Sequence, residues 1–172
     1  MSHPPIADAA RQAEFRRLMG LFATGVCVIA FNRNDGKGSD SAISAMTINS
    51  LVSVSLDPML LCWSLQNDAS QYEEYLAAET FSFSILADGQ QVLARRYAAR
   101  GDTALHADDF GRSDAGLPFV KGALATFECR RWKHYPAGDH TMILGEVEAM
   151  SNADGTAPAL GFFEGRFCAI EA

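Results

Sequence analysis

Thr47, Asn49, Ser53 and Ser55 fall at alternate positions, broken by Leu51. The even positions between and beside them run Met46, Ile48, Val52, Val54 and Leu56, broken by Ser50. Strand residues alternate between faces, so residues 44–56 read as a strand with one apolar face and one lined with short, uncharged hydrogen-bonding groups. Such hydroxyls and amides can match, without charge, the acceptors and single N–H along the pyrimidine edge of a flavin ring. The pattern equally fits the wet side of a half-exposed antiparallel strand.

Two smaller groups have the same double reading. Gly138-Asp139-His140 has the composition of a hairpin turn. It could also set an imidazole at a rim where it touches a ligand. Ser70, close to Asn67, stands where a helix is expected to start. A serine there caps the helix or holds a phosphate with the free N–H groups. His134 reads as strand-end surface and His106 as loop, while Lys121, Arg95, Arg96, Asp108 and Asp109 read as surface charges. The phosphate-binding glycine motifs, the nucleophile elbow and the zinc-protease motif are missing from the sequence. No acid, base or nucleophile is therefore assigned, and no metal site.

These residues need a scaffold. Asp8 can cap a helix over residues 9–21, with Phe15, Leu18, Met19 and Phe22 spaced for one face. Strands are expected over 24–31, 44–56, 59–65, 81–86, 123–135, 141–150, 160–163 and 166–170. Turns are expected at 34–36, 136–139 and 152–155. A short helix through Tyr75 and Leu76 and a longer one over 89–100 complete the pattern, with residues 101–118 as a long connection. Many strands edged by few helices suggest a mainly β, antiparallel barrel with peripheral helices.

The totals agree with one domain over residues 1–172, with 1–8 as an N-terminal tail. A net charge of -7 disfavours nucleic acid, which asks for a basic face. No secretory signal pattern stands at the start, and no run approaches the ~20 apolar residues of a membrane span, so the cytoplasm is expected. Cys27, Cys62, Cys129 and Cys168 lie in apolar strand-like runs and read as buried free thiols.

In order, the blocks Phe15-Arg16-Arg17-Leu18-Met19, Ala23-Thr24-Gly25-Val26, residues 44–50, residues 53–58, residues 81–87 with Gln90, Gly138-Asp139-His140, Leu144-Gly145-Glu146-Val147 and Gly165-Arg166-Phe167 resemble the flavin reductase family. Each block is common alone; their joint order is specific. The chain departs from the family's usual pattern at Met59, Cys27, Phe163 and Phe167. The resemblance implies an FMN-binding split β-barrel, a homodimer, FMN or FAD as flavin, and NADH or NADPH as hydride donor. It also implies a flavin-dependent monooxygenase as recipient of the reduced flavin. Carried onto this chain, Ala45, Met46, Thr47, Asn49 and Ser50 run beside the flavin, with Thr24 in the adjoining strand. Ser53 and Ser70 are candidates nearer the phosphate end, and His140 matches the nicotinamide side. A flavin-binding electron carrier or sensor without nicotinamide turnover is the alternative, and a related oxidase acting on a vitamin phosphate is a third reading.

Overall fold

The computed structural model describes residues 8–33, 43–98, 106–153 and 157–171. The expected turn at 34–36, most of the expected tail and parts of the expected 89–100 helix and 152–155 turn lie outside them. The Asp8 carboxylate accepts from the Arg11 N–H at 2.7 Å and starts α1 (Ala9–Met19). Among the described residues α1 buries none of its own side chains: Phe15, Leu18, Met19 and, just beyond, Phe22 are exposed.

The expected strand over 24–31 divides into β1 (Thr24–Gly25) and β2 (Cys27–Asn32). Val26 is the pivot. Its N–H donates to Leu160 O and its carbonyl accepts from Leu86 N, each at 3.0 Å, so the chain leaves one sheet and enters another there. The expected strand over 44–56 also divides, into β3 (Ile43–Ile48) and β4 (Val52–Leu56). There follow β5 (Met59–Gln66), α2 (Tyr72–Ala77), β6 (Thr80–Ile85) and α3 (Gln91–Ala98). The expected 101–118 connection holds a short ladder, β7 (Phe110–Arg112) with β8 (Pro118–Val120). A long hairpin, β9 (Ala125–Ala137) and β10 (His140–Asn152), precedes β11 (Ala159–Phe163) and β12 (Arg166–Ile170).

Seven strands form one antiparallel sheet in the order β3-β2-β6-β9-β10-β5-β4. β3 and β4 are its two edges, yet only residues 49–51 join them. Flat, the edges would stand about 29 Å apart at ~4.8 Å per strand. Four steps of chain from Ile48 to Val52 reach at most about 15 Å. The sheet therefore curls until its edges approach, and the Ser50 hydroxyl accepts from Ser64 N of β5 at 3.1 Å across the gap.

The curl encloses Ile29, Phe31, Ile48, Trp63, Phe81, Phe83 and Ile143. Tyr75 of α2 closes one end, edge-on to Phe31 at 4.9 Å and to Trp63 at 5.5 Å. A second cluster on the outer face joins Val28 and Ala30 to Ala94, Tyr97, Val120 and Leu160. β6 shows why both faces are dry. Phe81 and Phe83 point inward, while Ser82 donates to Pro118 O and the Ser84 hydroxyl accepts from Val120 N at 3.0 Å. β8 thereby satisfies buried hydroxyls that would otherwise be costly. Cys27, Cys62 and Cys129 are buried free thiols, and Cys168 is a half-buried one.

Candidate functional site

At one end of the curled sheet lies a cleft of about 510 Å³. That is within the usual ~300–1,000 Å³ of small-molecule sites. The end of β3 (Ala45, Met46, Thr47), the crossing residues Asn49 and Ser50, the turn after β5 (Asp68 to Gln71), Tyr75, the end of α3 and His140 wall it. Among the described lining residues the charged or titratable side chains are Asp68, His140 and the two phenols Tyr75 and Tyr97; none is Lys or Arg.

Hydrogen bonding fixes what each group can offer. Thr47 donates its one hydroxyl proton to Ala94 O at 2.8 Å, so towards the cleft its oxygen can only accept. The same bond ties β3 to α3. Asn49 donates to the Thr24 hydroxyl at 3.3 Å, which makes Thr24 a support behind Asn49 rather than a wall residue. Tyr75 is 2% exposed, and its hydroxyl is shut off from the surface beside Ser44. Burial pushes that phenol up, so it stays protonated. Tyr97 is also raised, first by burial and then by donating to the Asp109 carboxylate at 2.6 Å. Asp109 pairs with Arg96 as well, so this carboxylate and Arg96 are partners in a half-buried cluster, not the solvated charges expected.

His140 opens β10 directly after a two-residue turn, Gly138-Asp139, narrower than the four-residue turn expected. Gly138 has φ 69° and Asp139 does not share a positive φ, the sign pattern of a type II′ turn that suits a glycine first. The His140 Nδ1 lies 2.8 Å from the Asp139 carboxylate. That bond and the imidazole's charge hold the Asp139 carboxyl below its ordinary value, with Arg16 of α1 adding a weaker pull.

The structure thus brings Ala45, Met46, Thr47, Asn49, Ser50, Ser70 and His140 to one cleft. Ser53 is not among them: it sits exposed on edge strand β4, opposite Leu61. Ser70 is not a helix cap either, since Gln71 occupies that position and α2 begins at Tyr72. Sequence reading missed Ser64, Gln66, Gln71 and Tyr75 as wall residues. Ser64 and Gln66 left a trace, being polar at alternate positions of an otherwise apolar strand. Tyr75 left none, because a buried tyrosine and a wall tyrosine look alike in sequence.

A flat heterocycle with neutral acceptors and one N–H suits this wall of an accept-only hydroxyl with further amide and hydroxyl groups. Fold and cleft together define a small-molecule-binding split barrel. The family model described as flavin reductase like domain matches residues 19–171, and the chain belongs to that family. It is 37% identical over 153 residues to the FMN reductase (NADH) of Agrobacterium fabrum, covering 89% of this chain and 84% of that one. A solved NADH:FAD oxidoreductase of Streptomyces globisporus C-1027, in complex with NAD and FAD fragments, superposes with a TM-score of 0.82 at 32% identity over 96% of each chain. The styrene monooxygenase flavin reductase of Pseudomonas putida S12 gives 0.80 at 31% identity over 92% of this chain and 97% of its own.

Proposed function

We propose that this chain is an NADH-dependent flavin reductase that moves hydride from NADH to FMN or FAD in the cleft between β3, the 68–71 turn and His140. The observation that carries the reading is a hydrogen-bonding wall with no Lys or Arg among its described residues, in a chain of this family. The electron chemistry belongs to the two bound molecules, a dihydronicotinamide that gives hydride and a flavin ring that accepts it. The protein's share is position and electrostatics. Thr47 would accept, and Asn49 and Ser50 would lie beside the ring. Ser70 would meet the ribityl-phosphate end, and His140 would border the nicotinamide. With no Lys or Arg at the wall among the described residues, reduced flavin would be held loosely enough to leave.

Release gives the product a use. The styrene monooxygenase reductase among the relatives supports a partner monooxygenase as the recipient. A second copy of the chain is expected to cover α1 and β4, whose Leu18, Phe22, Val52 and Leu56 lie exposed. Such a copy would also have to bring Ser53 to a site, since its own chain does not. Buried free thiols fit the reducing cytoplasm.

Anaerobic mixing of the protein with FMN or FAD and NADH tests the assignment, following flavin bleaching and nicotinamide loss together. The expected result is saturable loss of both, with many flavins reduced per subunit. Flavin binding without NADH oxidation would leave a flavin-binding protein whose electrons come from elsewhere.

A further inference from the structure

His140 reaches the cleft from a two-residue turn, its backbone in register with Ala137 of β9 and Gln66 of β5, and the turn itself extends past both ladders. Here one residue takes both of its carbonyls. The Asn67 backbone N–H donates to Asp139 O at 2.9 Å, and the Asn67 side-chain amide donates to Gly138 O at 3.3 Å. The other end of the same amide is fixed in turn: Thr141 donates its hydroxyl proton to Asn67 Oδ1 at 2.9 Å. Thr141 has one proton, so the 2.8 Å contact between its hydroxyl and that of Tyr72 must be donated by Tyr72. The chain of donors runs Tyr72 to Thr141 to Asn67 to Gly138, with Thr141 2% exposed. Tyr72 opens α2, and Asn67 leads straight into Asp68, Ala69, Ser70 and Gln71 of the cleft wall.

We propose that Asn67 is a positioning residue for His140, locking the β9–β10 turn to the 68–71 wall so that imidazole and wall keep one spacing. The inference rests on the reductase reading for its kinetic meaning. Asn67 acts through the turn, since its amide is engaged by Gly138 and Thr141 and Asn67 does not line the cleft. The two sides of the cleft are then one unit, and loosening the link moves His140 without touching the β3 wall.

The test compares wild type, Asn67→Ala, His140→Ala and the double variant. Asn67→Ala is expected to raise KM for NADH about threefold to tenfold, the worth of one ordinary hydrogen bond. The flavin Kd should change less than KM for NADH, because the β3 groups do not depend on this link and the Asn67 backbone N–H still ties the 68–71 wall to Asp139. In the His140→Ala background the same change should raise KM no further. An unchanged KM in folded Asn67→Ala, or an equal rise on top of His140→Ala, overturns the proposal. Should Asn67→Ala not fold, Thr141→Val removes the hydroxyl at nearly constant shape and must show the same KM rise, with Thr141→Ser restoring it. A second readout does not need turnover: the His140 imidazole NMR signals should shift in Asn67→Ala. If wild type oxidises no NADH the reductase reading falls alone, and unshifted imidazole signals would then overturn the positioning role separately.

Discussion

At the residue scale the chemistry lies in groups made neutral or committed by their surroundings. Thr47 is an acceptor because Ala94 takes its proton, and Tyr75 stays neutral because burial keeps it protonated. The thiols obey the same physics. Burial pushes Cys27 and Cys129 from 9.0 up to about 12, with the Glu148 and Glu128 carboxylates adding to the effect on Cys129. Thiolate is the reactive form, so a thiol reagent at pH 8 should label native protein first at half-buried Cys168 and reach all four cysteines only after unfolding. Mass spectrometry of the labelled protein checks this; fast native labelling of Cys27 would contradict its burial. The linkage has a definite sign. Folded Cys27 keeps its proton while the unfolded thiol loses it above pH 9, so stability is intact below about pH 9 and falls as pH rises towards 12. Cys27→Ala should soften that alkaline loss in urea titrations.

At the element scale the hairpin of β9 and β10 carries both the core and the His140 rim. Thr141, Ile143, Gly145 and Val147 alternate inward along β10. Gly145 is there for space: a Cβ would sit 2.9 Å from the Cys129 Cβ and from two ring carbons of Phe81. Gly145→Ala is expected to cost about 1–3 kcal/mol, as overpacking of a dry core does. A urea midpoint equal to wild type would show that Phe81 can yield. This alternation was legible in the sequence because a strand period of two survives in the residues themselves. The division of 44–56 was not. β3 and β4 each keep the period, so the pattern runs on across residues 49–51 although the chain there crosses from one sheet edge to the other.

At the scale of the whole molecule the unmatched feature is apolar surface. α1 is capped and periodic, yet buries no residue, and Phe15, Leu18, Met19, Leu21 and Phe22 remain open. Apolar area of that extent is usually covered in solution. The expected mass by light scattering is twice the 18.6 kDa chain. Phe22→Lys should shift it towards the monomer with the cleft's own residues unaltered. A wild-type monomer at micromolar concentration would leave the face to another partner and withdraw the homodimer.

Sequence alone determined the mainly antiparallel β character, the neutral groups at 45–50, Ser70 and the Gly138-Asp139-His140 corner, because local periodicity and side-chain chemistry are written residue by residue. It also carried the family through the order of its blocks. Only the tertiary structure decided that Thr24 supports Asn49 from behind, that Ser53 lies apart, that Tyr75 joins the wall and that Asn67 grips the turn. Those relations join residues up to 74 positions apart, as in Thr141 to Asn67. They exist only once the sheet has curled, and no local pattern along the chain encodes which distant group will stand at hydrogen-bond distance.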